Sequence, residues 1–305
     1  MILIITHKED FTVDFVVDKL NKKNISYFRL NCEDIHKDFY NFKNEDGFNF
    51  TINGISNFDS VWFRRTKLPD LDINDEAEKL FLLGDYETLF DNIYALTDTK
   101  KWLSNPKEIY IAENKIFQLK IAKSIGFKIP NTLVTNSHKE LCHFFEQNGC
   151  NVIIKPIRQG RLVGKDGFKT IFTNKLDLEI IQKLTEFDLT PCIYQEYINK
   201  QYEIRVTVVN DKVFAGKVNS QSREDTSIDW RKEKIPFERY DLPVEVENKC
   251  KLITNKLNLS FGAIDLIKTE DGGYVFLEIN PNGQWAWLEM EAGLQISDEI
   301  INFLT

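Results

Sequence analysis

The chain has 305 residues, 42% of them hydrophobic and 28% charged, with a formal net charge of −8. That length supports two or three structural units around a sizeable core. The acidic balance argues against a general nucleic-acid binder, but leaves room for basic residues clustered on one anionic ligand.

Five scattered cysteines form no C-x-x-C pair, and four histidines form no H-E-x-x-H pattern. Reduced thiols in a cytoplasm are therefore expected, without a disulfide framework or zinc site. The apolar opening Met1 to Ile5 meets Lys8, Glu9 and Asp10 too soon for a signal peptide. No run approaches the roughly 20 apolar residues of a membrane span.

In chain order, Ile2 to Thr6 reads as a short apolar strand, Thr12 to Lys22 as a helix and Ile25 to Leu30 as a second strand. Phe48 to Ile52, before Gly54, predicts a hairpin strand, and Ser60 to Arg64 a buried one. Asp75 to Lys101 is a long amphipathic stretch with Leu80, Leu83, Leu89, Ile93 and Leu96 among its apolar positions. Pro106 pushes Asn105 out of the helical region, which sets a boundary there.

A helix from about Ile109 to Ile125 follows, stopped by Gly126, and then a strand from Thr132 to Thr135. Ser137 and Glu140 make a capping box for the next helix, which Asn148-Gly149 closes. Val152 to Pro156 is an apolar strand carrying one lysine. A loop with Gly160, Gly164 and Gly167 comes next, and Ile171 to Thr173 is expected to pair back against that strand. Strands follow at Ile193 to Tyr197, Glu203 to Val209, Lys212 to Val218, Ala263 to Ile267 and Tyr274 to Ile279. Helices near Val244 to Leu257 and from about Asp298 complete the chain. The fold class is α/β (α+β), with units at 1–105, 106–192 and 193–305.

The hairpin around Asp271-Gly272-Gly273 is the most informative passage. Alternation puts Glu278 and Asn280 on one strand face and Leu277 and Ile279 on the other, and the turn can bring Asp265 beside Glu278. Two carboxylates and an amide oxygen suit magnesium, which fills its octahedron with water and phosphate. Solvated charges on an edge hairpin are the competing reading. Against it, these charges interrupt strongly apolar strands, and Pro281-Asn282-Gly283 follows at once.

Lys155 is a lone cation in a buried-looking strand, so an anion beside it is inferred. Lys115 is a second phosphate candidate or a solvated helix lysine. The glycine loop can close over phosphates through backbone N–H groups. Gln195-Glu196-Tyr197-Ile198 ends a strand where adenine can meet backbone groups. Glu203 and Arg205 share a strand face, as a ribose acceptor and a phosphate guanidinium or as a plain ion pair.

The order Lys115, Lys155-Pro156, Gln195 to Ile198, Glu203-x-Arg205, Asp265 and Glu278-x-Asn280-Pro281 resembles the ATP-grasp superfamily from about Asn105 to Thr305, with a pre-ATP-grasp domain before it. Val61-Trp62-Phe63-Arg64-Arg65, Asp229-Trp230-Arg231 and Phe276 to Trp285 resemble the graspetide synthetases, the microviridin-type macrocyclases of ribosomally made (RiPP) peptides. The resemblance implies Lys115, Lys155 and Arg205 on phosphates, Gln195 to Ile198 around adenine, Glu203 on ribose, and Asp265, Glu278 and Asn280 on magnesium. Arg205, Arg231 and Lys155 would serve catalysis, with Arg231 on phosphate or the acidic substrate side chain unless it makes a loop salt bridge. Arg64 and Arg65 are expected at a ligand edge or a domain interface, and Trp285 and Trp287 in packing.

It further implies ATP-driven closure of Asp or Glu side chains onto Thr or Ser hydroxyls, or onto Lys amines, of a precursor peptide, by a homodimer. The alternatives are a ligase adding an amino acid to a peptide or protein, and a non-catalytic nucleotide-binding regulator.

Overall fold

The run Ile2-Leu3-Ile4-Ile5-Thr6 has no polar face, and such a strand must be covered on both sides. In the computed structural model, which describes residues 1–44, 47–158, 161–164, 167–183, 192–223 and 226–305, it forms the fully buried β1 (Ile2–Thr6). Asp10 caps α1 (Phe11–Lys22) by accepting from the Thr12 and Val13 amides, which turns Val13, Val16 and Leu20 into the core. β2 (Tyr27–Asn31) follows, then the antiparallel pair β3 (Tyr40–Lys43) and β4 (Asn49–Ile52), and then β5 (Ser60–Phe63). α2 (Glu76–Leu96) leads to β6 (Trp102–Leu103). The parallel sheet has the order β2-β1-β5-β6. α2 departs from the expected amphipathic helix: Leu80 is 61% exposed, and only Phe90 and Ile93 are buried. Its C-terminal half alone packs on the sheet.

The single helix expected from Ile109 to Ile125 is two, α3 (Pro106–Ala112) and α4 (Lys115–Ser124). The break has a local cause, since Asn114 Oδ1 accepts from the Phe117 amide at 3.0 Å and starts a new helix. Lys115 thereby opens α4, at the end where the helix dipole favours anions.

β7 (Thr132–Thr135), α5 (His138–Gln147), β8 (Val152–Pro156), β9 (Arg161–Gly164), β10 (Gly167–Thr170), β11 (Asn174–Lys175), α6 (Leu178–Lys183) and β12 (Cys192–Glu196) make the middle of the chain. Their main sheet runs β11-β8-β12-β7. Where a glycine loop was expected, β9 and β10 pair antiparallel. Gly160 and residues 165–166, between Gly164 and Gly167, lie outside the described residues. Return pairing onto β8 comes from Asn174 and Lys175, not from Ile171 to Thr173.

The last unit is one antiparallel sheet with the order β15-β14-β13-β16-β17. It is built from β13 (Lys200–Val209), β14 (Lys212–Val218), β15 (Glu238–Arg239), β16 (Phe261–Thr269) and β17 (Tyr274–Asn280), with α7 (Val244–Lys256) packed against it. α8 (Ala286–Ala292) and α9 (Ile296–Leu304) close the chain. They share a hydrophobic core with β1 and α1, in which Ile2, Ile4 and Val16 meet Trp285, Ile300 and Leu304. Among the described residues, no helix is long and apolar enough to cross a membrane.

Arg64 fastens the first sheet to the segment after β17. It is 2% exposed, its Nε pairs with Asp10 Oδ2 at 3.3 Å, and its Nη1 donates to Asn282 Oδ1 at 3.1 Å and to the Gly283 carbonyl at 3.2 Å. Of the two readings of this arginine, interface pairing is what the structure holds. Replacing Arg64→Met strands the buried Asp10 carboxylate, and a loss of about 3–5 kcal/mol is expected. A drop in the urea midpoint measures it, and a second change, Asp10→Asn, should recover much of the loss.

Candidate active site

β16 and β17 set Asp265 directly opposite Glu278. The register then shifts, because Leu266 faces Phe276 and leaves Leu277 as an extra residue. Such a bulge breaks side-chain alternation. Leu277, expected on the opposite face, therefore lines the same cavity as Glu278 and Asn280, while Ile279 stays in the core.

Both carboxylates already have cationic partners. Arg205, opposite Asp265 in the β13–β16 pairing, donates from Nη1 to its two oxygens at 2.8 and 2.9 Å. Lys115 Nζ lies 3.2 Å from Glu278 Oε2, and Asn280 Nδ2 donates to Glu278 Oε1 at 3.3 Å. Burial pushes the Asp265 carboxyl above the usual range, against the pull of Arg205. Burial acts on Glu278 in the same direction, but Lys115, Lys155 and Arg231 outweigh it and hold that carboxyl well below its ordinary value. Desolvation brings the Lys155 ammonium down to about 8, with Glu278 opposing the fall and Lys115 and Arg231 adding to it.

These groups line a cavity of about 520 Å³ between the middle sheet and the C-terminal sheet. The residues expected at phosphate, adenine, ribose, magnesium or in catalysis by resemblance all border it: Lys115, Lys155, Gln195, Glu196, Tyr197, Ile198, Glu203, Arg205, Arg231, Asp265, Glu278 and Asn280. Gln195 Nε2 donates to Thr132 Oγ1 at 2.9 Å, while its Oε1 and Arg205 Nε are buried with no partner among the described residues. The plain ion pair considered for Glu203 and Arg205 does not form; Glu203 takes Lys200 at 2.7 Å, and Arg205 takes Asp265. Arg231 makes the loop salt bridge, two-pronged to Asp229 at 2.8 and 2.6 Å, and still borders the cavity.

Arg65 borders the cavity, unlike Arg64. Trp285 is a packing residue at 1% exposure, whereas Trp287 reaches the cavity wall beside Trp230, with ring centroids 5.6 Å apart. Lys200, Gln284 and Leu277 also border the cavity and were not expected there. Gln284 lay inside a noted motif, but Lys200 lay in none.

The donor set suits the ligands it would hold. Among the described residues, no group of three His, Cys, Asp or Glu could hold a metal. Two carboxylates and an amide are nonetheless sufficient for magnesium when phosphate and water complete the shell. Lys115, Lys155 and Arg205 could receive the phosphates, and the unpartnered Gln195 Oε1 and Arg205 Nε would be open to polar groups of a nucleotide.

Two expectations follow from this geometry. Phosphate favours charged Lys155, so nucleotide affinity should hold below pH about 8 and weaken as pH rises through it. Lys155→Arg should flatten that profile in titrations at fixed ionic strength. A Cβ at Gly283 would stand 2.6 Å from the Ala263 Cβ and 2.9 Å from Arg205 Nη2. Gly283→Ala should then cost about 1–3 kcal/mol of stability, by thermal unfolding, and weaken nucleotide binding by displacing Arg205.

A family model for the RimK-like ATP-grasp domain matches residues 112–304. Over 201 residues the chain is 25% identical to the alpha-aminoadipate–LysW ligase LysX of Sulfurisphaera tokodaii, across 63% of this chain and 66% of that protein, just under two thirds of its length. The macrocyclase MdnC of Microcystis aeruginosa MRC, solved with the precursor peptide MdnA, superposes with a TM-score of 0.89 at 26% identity, covering 100% of this chain and 99% of that one. The Chryseobacterium gregarium RiPP-associated ATP-grasp ligase, solved with ADP and a leader and core peptide, gives 0.89 at 28% identity, covering 99% and 96%. The chain belongs to the RimK-like ATP-grasp family.

Proposed function

We propose that this protein is an ATP-dependent peptide macrocyclase acting on acidic side chains of a precursor peptide. The observation that carries the reading is the full-length likeness to two peptide-bound ligases. It extends over the first 111 residues, which the family model leaves unmatched.

A carboxylate and an alcohol do not condense in water, so the leaving oxygen must first become phosphate. Lys115, Lys155 and Arg205 would neutralise the phosphoryl group as it moves to a substrate Asp or Glu. Asp265, Glu278 and Asn280 would hold magnesium, which supplies further charge stabilisation. Arg231, aligned by Asp229, would orient the acidic side chain or its phosphate. A Thr or Ser hydroxyl of the same peptide then attacks the acyl carbon, phosphate leaves, and a lactone closes; a Lys amine would give a lactam. Tethering both reactants in one chain supplies much of the acceleration. The ester is the favoured product, and a homodimer the favoured assembly.

The likeness to LysX favours a second reading, in which a free amino acid is joined to a peptide or protein. One experiment separates the two. Incubated with ATP, magnesium and a Thr- and Glu-rich precursor, the enzyme should release ADP and reduce the peptide mass by one water per ring, and Glu278→Gln should abolish both. Dependence of ADP release on an added amino acid, with the peptide gaining that residue's mass, would support the ligase reading instead. Full activity in Glu278→Gln would overturn both readings.

A further inference from the structure

Lys200 opens β13 and is 6% exposed, an unusual place for an ammonium. Its Nζ donates to Glu203 Oε1 at 2.7 Å and to the Ile228 carbonyl at 3.2 Å. In a regular strand, residues three apart point to opposite faces. Here the register shifts between Lys200 and Tyr202, where Lys200 faces Thr269 and Tyr202 faces Lys268. Gln201 is the extra residue, and the bulge turns Lys200 and Glu203 to the same cavity.

The contacts form one line through the site. Glu203 accepts from Lys200 on Oε1 and also takes a hydrogen bond from Ser220, and the remaining lone pairs of its carboxylate can still accept. Ile228 directly precedes Asp229, whose carboxylate holds Arg231 in two hydrogen bonds. Glu203, Lys200, Ile228, Asp229 and Arg231 are thus linked in sequence along the cavity wall.

We propose that Lys200 is a positioning residue that fixes Glu203 as the acceptor for the ribose hydroxyls and, through Ile228, holds the loop bearing Asp229 and Arg231 in register with it. The inference rests on the nucleotide reading given above. It makes the sugar of the nucleotide a determinant of the arginine that meets the substrate.

The test compares binding of a non-hydrolysable magnesium–ATP analogue with that of its 2′,3′-dideoxy counterpart to the full chain. The wild type should prefer the hydroxylated form by about tenfold or more, the scale of a charge-assisted hydrogen bond. Lys200→Met should cut that preference to below about threefold, and Lys200→Arg should keep most of it. Amide exchange over residues 226–232 should slow with the hydroxylated analogue in the wild type, but not with the dideoxy form and not in Lys200→Met. Should Lys200→Met fail to fold, the Lys200→Met/Glu203→Gln double variant removes the stranded charge and should bind both nucleotides nearly alike. Undiminished preference and unchanged exchange in the Lys200→Met single or double variant would overturn the role of Lys200. A wild type indifferent to the hydroxyls would instead remove the ribose assignment of Glu203, and this proposal with it.

Discussion

The arrangement depends on two ion pairs at the cavity, Arg205 with Asp265 across neighbouring strands and Lys115 at the start of α4 with Glu278 on β17. Burying either carboxylate alone would be costly, and so would burying either cation. Paired, they let a strongly charged cavity exist inside a protein of ordinary core. The same pairs also hold the groups that the proposed magnesium nucleotide would need. On the proposed reading, phosphate would draw away the cations as metal took the carboxylates, and binding would exchange partners without leaving a bare charge.

The rest of the fold keeps that exchange in place. Arg64 reaches from the end of β5 to Asn282, Gly283 and Gln284, just past the strand that carries Glu278 and Asn280. α9 sits in one core with β1, and Ser60 donates to the Leu304 carbonyl at 2.6 Å. The first sheet is therefore more than an appendage: it anchors the loop that follows Glu278 and Asn280. Gly283 is required there because a side chain would collide with Ala263 and Arg205.

Much of the site was legible in the sequence because charge inside an apolar strand is conspicuous. Asp265, Glu278 and Lys155 each interrupt a run of Ile, Leu and Val, and each borders the cavity. What escaped has a common origin. Leu277 and Lys200 both owe their orientation to bulges, and nothing in Phe276-Leu277-Glu278 or Lys200-Gln201-Tyr202 marks an extra residue. The division of α3 from α4 does carry a signal, because Asn114 is an ordinary N-cap residue type. α8 has no such signal, since its N-cap position is Trp285, which makes no side-chain cap. The exposed first half of α2 shows the limit of periodicity, which predicts an apolar face but not whether a partner reaches it.

The exchange of partners is tested most directly by titrating manganese, as a spectroscopic substitute for magnesium, with and without saturating ADP. The account predicts that the metal binds poorly alone and about tenfold or more tightly with nucleotide present, as linkage between the two ligands requires. Tight metal binding that ADP leaves unchanged would contradict it, because Asp265 and Glu278 would then be available without any phosphate to receive Arg205 and Lys115.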